Sequence, residues 1–171
     1  AQYISNLIDA QSGRILVAAA GNVGIVYPFH VGRNSVASDT VFTWFRYNSG
    51  IPGAYVSIYA DSAQFNQIQF TVGADKISPY FEHRGALPFI SVTPTINTLL
   101  TRSLIVNTKR LGVVQMYTSV NEGVYQLEIY VIPDSTAYNW RFTTTGNGRY
   151  DSWSFDYEWQ NVPNVATFPD I

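Results

Sequence analysis

Apolar residues in this chain recur with a period of two, and no segment carries an apolar stripe of period 3.6. Side chains alternate across a strand, so this pattern points to an all-β fold. The segments 40–47 (TVFTWFRY), 54–60 (AYVSIYA), 111–119 and 124–132 (VYQLEIYVI) are rich in β-branched and aromatic residues and read as strands. The segments 14–20, 23–31, 67–72 and 87–92 read the same way, and 96–106 reads as extended. Asn121-Glu122-Gly123 predicts a hairpin between 111–119 and 124–132. Asn147-Gly148 predicts a second one between 138–144 and 153–160. The sum is about nine to eleven strands, punctuated by 12 glycines and 8 prolines. An antiparallel β-sandwich or single jelly-roll barrel accommodates that number. The length of 171 residues suits one domain, expected over 1–160, with 161–171 as an extended C-terminal tail.

Several of these strands are apolar on both faces. In 40–47, Val41, Phe45 and Tyr47 share one face, while Phe42 and Trp44 share the other. A two-layer sandwich covers only the inner face, so the outer one needs a loop, a partner or a ligand. Trp44 is therefore a candidate contact residue. Residues 153–160 (WSFDYEWQ) extend the argument, because alternation puts Trp153, Phe155, Tyr157 and Trp159 on one face. Such a ladder has three uses: core packing, a subunit interface, or a platform on which sugar rings stack. Phe168 lies in the proline-bearing tail and is a further candidate for docking on a neighbouring subunit.

Charged residues make up 13% of the chain against an ordinary ~25%, which suggests that much of the surface is covered by something. The net charge is −2 and no basic tract occurs, so direct nucleic-acid binding is not expected. The absence of cysteine excludes thiolate metal sites, disulfides and thiol catalysis. No apolar run reaches the ~18 residues of a membrane-spanning helix.

Motifs that would carry chemistry are sparse. His30 and His83 are the only histidines, and neither has metal-ligand spacing; no metal and no cofactor are expected. His83 lies in FEHRG, which reads as a solvated turn with Glu82 and Arg84 on the face opposite to it. No serine-hydrolase elbow or phosphate-cradling loop occurs. Asp151, Asp156 and Glu158 offer oxygen ligands for calcium, but alternation puts Asp151 on the opposite face from the other two. Glu128, in LEIYVI, is loosely similar to the nucleophile strand of jelly-roll xylanases, and a glycosidase needs a second carboxylate beside it. Glu122 and Glu158 are the available partners, neither in a matching context. No catalytic residue is assigned, and Glu128 keeps a small enzymatic alternative open.

Strands such as TVFTWFRY and VYQLEIYVI, the chain length, the missing cysteine and the preference for arginine over lysine carry a whole-chain resemblance. The chain resembles the single jelly-roll capsid proteins of tailless, membrane-containing icosahedral phages of thermophilic bacteria. The resemblance implies a structural virion coat subunit. Such a subunit self-associates as a dimer or higher oligomer, packs with a second coat protein and lies near an internal membrane. The alternative is a secreted, lectin-like carbohydrate-binding β-sandwich.

Overall fold

The alternation in VYQLEIYVI is realised residue by residue: Tyr125, Leu127, Ile129 and Val131 are buried, and the residues between them are not. The same rule operates across the computed structural model, which describes residues 30–46, 53–76 and 79–154. In chain order the elements are β1 (His30–Ser35), β2 (Val41–Arg46), β3 (Ala54–Asp61), the one-turn helix α1 (Ser62–Phe65) and β4 (Ile68–Lys76). They continue with β5 (Glu82–Ala86), β6 (Leu100–Val106), β7 (Lys109–Asn121), β8 (Val124–Pro133), β9 (Asn139–Gly146) and β10 (Gly148–Ser154).

Two antiparallel sheets result. One has six strands in the order β1-β10-β3-β8-β7-β6, and the other four in the order β2-β9-β4-β5. Without β6 and β7, the orders 1-10-3-8 and 2-9-4-5 form the double Greek key of a jelly roll. The β6–β7 hairpin is inserted between β5 and β8 and widens the larger sheet. The all-β sandwich expected from the alternation is the fold observed.

The core lies between the sheets. Phe65, Phe70, Phe142 and Tyr150 form a ring cluster with centroids 5.6–6.2 Å apart, the Phe142–Tyr150 pair edge-to-face at 87°. Phe70 and Phe142 come from the smaller sheet and Tyr150 from the larger, so the rings tie one sheet to the other. Phe65 reaches the cluster because α1 turns the chain sharply after β3; Asp61 caps it by accepting from Ala63 N and Gln64 N. Gly112 gives Trp140 its room: a Cβ there would meet Trp140 Cη2 at 2.9 Å and Ile132 O at 2.8 Å.

The β7–β8 hairpin closes on Glu122 and Gly123, both at positive φ (50° and 81°), as a two-residue primed turn requires. The β6–β7 hairpin, not foreseen, closes in the same way on Asn107 and Thr108 (47° and 68°).

Three sequence expectations need correction. Asn147-Gly148 does not close a hairpin. β9 pairs with β2 and β4, and β10 pairs with β1 and β3, so the corner carries the chain from one sheet to the other. Asn147 Oδ1 accepts from Ala37 N at 3.0 Å, and Gly146 adopts φ 93° against the Gln67 backbone. The dipeptide signals a reversal but not which strand each arm pairs with. Residues 87–92 do not form a strand: Leu87 and Ile90 bond to β4, but Pro88 has no N–H and only an isolated bridge, Phe70–Ile90, forms. The segment read as a solvated turn around His83 is instead strand β5, at the edge of the smaller sheet, where polar side chains are tolerated. The segments 14–20 and 161–171, the greater part of 23–31, and residues 155–160 lie outside the described residues.

Two measurements test this account. Thr108 is β-branched at positive φ, so Thr108→Gly should raise stability by about 1 kcal/mol in urea denaturation. Burial holds the Tyr150 phenol above its ordinary value of 10.0, against a smaller opposing effect of the Thr144 hydrogen bond. As pH rises the unfolded chain therefore loses this proton first. The stability Tyr150 contributes is complete below pH 10 and declines above it. Tyr150→Phe should flatten that alkaline decline.

Candidate functional site

The outer face of the six-stranded sheet is built by the residues that alternation turns away from the core. Register sets Ser57 of β3 and Tyr117 of β7 on either side of Glu128 in β8. Tyr55 lies opposite Tyr130, and Tyr59 opposite Gln126. Trp153 of β10 lies across from Ser57. The four tyrosines are half-buried and Trp153 is 43% exposed.

Side-chain hydrogen bonds fix the middle of this face. Ser57 Oγ, itself buried, donates to Tyr55 Oη at 3.0 Å. Gln126 Nε2 donates to Glu128 Oε1 at 3.1 Å, and the Glu128 carboxylate acts on the nearby Tyr55 phenol. Burial raises the Tyr55 phenol above its ordinary value, and the neighbouring Glu128 carboxylate adds to that. Glu128 has no cationic partner among the described residues. It is a carboxylate held by the neutral Gln126 amide and framed by aromatic rings.

As an acid–base site this arrangement lacks a second member among the described residues. Asp61 and Asp151 share the face but stand about 12 Å or more from Glu128 by strand spacing. A glycosidase pair spans at most ~9.5 Å. Glu122 sits in the turn at the end of the hairpin, and Glu158 lies outside the described residues.

The outer face of the smaller sheet carries a different cluster. Trp44, a candidate contact residue on sequence grounds, is only 2% exposed. Its ring packs 5.1 Å from Phe42 and 6.1 Å from Phe81, and its Nε1 donates to Asp75 Oδ2 at 2.7 Å. The apolar outer face of β2 is thus covered at this point, and Trp44 does not present a free contact surface.

Asp75 is fully buried, and its carboxylate is also approached by His83 Nδ1 at 2.7 Å and Arg141 Nε at 3.5 Å. Arg141 Nη2 stands 2.9 Å from the same His83 nitrogen. Asp75 can only accept, so the Nδ1 proton lies on the bond to Asp75, and the nearby guanidinium acts there as a charge beside the carboxylate. Arg141 also lies 5.4 Å over the Phe42 ring. Sequence reading passed over Asp75; the available signal was a carboxylate within the apolar strand IQFTVGADK, which must find partners when buried.

Of the aromatic ladder, Trp153 alone falls within the described residues; Phe155, Tyr157 and Trp159 lie outside them, as does Phe168. No group of metal-ligating side chains occurs among the described residues, and no helix there is long and apolar enough to cross a membrane.

No family model matches the chain, and neither does any curated protein. Among solved structures it is similar to the Clostridium perfringens CspB protease, with a TM-score of 0.47 and 17% identity over 74% of this chain. The chain spans 25% of that protease's length.

Removing one member of the Asp75 cluster tests whether it acts as a unit. Asp75→Asn deletes the charge shared by Trp44, His83 and Arg141 in a buried setting. It should lower unfolding stability by about 3 kcal/mol in urea denaturation.

Proposed function

We propose that this chain is a structural docking subunit, and specifically a coat subunit that packs side by side with other capsid proteins. The observation that carries this reading is the outer face of the widened sheet, where Tyr55, Tyr59, Tyr117 and Tyr130 surround Glu128. Tyrosine gives large, rigid, amphipathic contact area and is enriched at protein interfaces. The low content of charged side chains, 13%, reduces the desolvation cost of covering such a face. Jelly rolls also serve widely as capsid domains, an argument from fold analogy alone. In a shell the face would meet neighbouring copies or a second coat protein, and the virion is the corresponding location.

A second reading has its own support. Trp153 stands 43% exposed on the same face, beside polar Ser57, Gln126 and Glu128. Aromatic rings next to hydrogen-bonding side chains suit the stacking of sugars, as in a secreted carbohydrate-binding sandwich.

Light scattering coupled to size exclusion separates the two. A coat subunit should form dimers or larger species as concentration rises. The paired substitutions Tyr59→Glu and Tyr130→Glu should then weaken association at least about tenfold with the β-sheet circular dichroism unchanged. A strict monomer at high concentration, across salt and pH, would overturn the assembly reading. Binding on a glycan array that Trp153→Ala abolishes would instead establish the sugar module.

A further inference from the structure

Among the described residues, the segment after β5 runs beside β4, opposite β6 and β7, and leaves a cavity of about 190 Å³. Phe70, Val72, Leu87, Pro88, Ile90 and Met116 give it apolar walls. The backbone of those walls is already paired: Phe70 and Ile90 exchange two bonds of 2.9 Å, and Leu87 N donates to Val72 O at 3.0 Å. Pro88 has no N–H to offer. The Thr71 hydroxyl, also in the wall, is committed to Leu87 O at 2.5 Å.

One charged group lines the space. Arg102 lies on β6, on the strand face that also carries buried Leu104, and is itself exposed at the cavity's rim. No carboxylate or other acceptor pairs with its guanidinium among the described residues. An apolar cleft with a single exposed cation at its rim has a definite chemical complement. We infer that this cavity binds a small apolar monocarboxylate, its chain or ring inside and its carboxylate on Arg102. For scale, an apolar cavity of about 150 Å³ holds benzene, so the tail is about six to eight carbons. The planar guanidinium fork matches a carboxylate with two parallel hydrogen bonds. An amine of the same length would place a cation against Arg102, and an alcohol would leave the guanidinium without its counter-charge.

The chain supplies its own reporter. Met116 is the sole methionine, so protein labelled with [methyl-13C]methionine gives a single methyl resonance, from the cavity wall. Titration with octanoate should shift that resonance saturably, with a dissociation constant of about 1 mM or tighter. Octanol should bind at least about tenfold more weakly, and octylamine should give no saturable shift. Arg102→Gln should weaken octanoate about tenfold while leaving the unligated methyl signal in place. The inference is overturned by no saturable response to octanoate, by equal responses to all three compounds, or by unchanged octanoate binding in Arg102→Gln. None of these outcomes depends on whether the tyrosine face docks a partner.

Discussion

The contact between Phe65, Phe70, Phe142 and Tyr150 is the clamp on which the sandwich depends. Each ring arrives from a different element, α1, β4, β9 and β10, so the cluster forms only when both sheets and the capped turn are in place. Backbone hydrogen bonds hold strands within a sheet, and between the sheets there are, among the described residues, only scattered side-chain bonds such as Thr144–Tyr150 and Arg33–Thr43. Joining the sheets falls mainly to buried apolar area, and aromatic rings supply the largest share per residue. With the inner faces committed in this way, any other role must be carried by the outer faces or by the cavity beside β4.

Much of this fold was legible in the sequence because its cause is local. Alternation in 54–60 and 124–132 marked strands, and one alternate set in each, Val56 and Ile58 with Leu127 and Ile129, is the buried one. Glu122-Gly123 marked its turn because few residues other than glycine accept positive φ. Strand pairing was less legible. Asn147-Gly148 carries the same turn signal, yet β9 and β10 each have two other neighbours and fill the interiors of opposite sheets. No short-range signal encodes that choice. The edge strand β5 was missed for the complementary reason: its sequence, EHRGA, is polar, and among the described residues only one of its edges is paired.

The outer faces were legible only in part. Their two-sided apolar character was visible in TVFTWFRY, but the cover over Trp44 was not. It is made by Phe81 and by a carboxylate, an imidazole and a guanidinium from β4, β5 and β9. The β4–β5 pair that carries Asp75 and His83 is far in sequence from Trp44 and Arg141, and sheet register brings them together. The tyrosine face was dispersed in the same way, with one or two members in each of β3, β7 and β8. A ladder confined to one strand is conspicuous in a sequence; a patch assembled across three strands is not.

The two short turns around β7 also bear on the order in which the molecule assembles. β6, β7 and β8 form a meander whose pairings are close in sequence, and closing such short loops costs little chain entropy. At the other end of the sheet, β1 pairs with β10, and the nearby Ala37–Asn147 bond joins positions 110 residues apart. Pairings this distant carry a larger closure entropy than those of the meander, which slows folding relative to a chain of local contacts. Until closure, Met116, Leu127 and Ile129 line a sheet with no opposite layer, and the scarcity of charge gives little repulsion to keep two such chains apart.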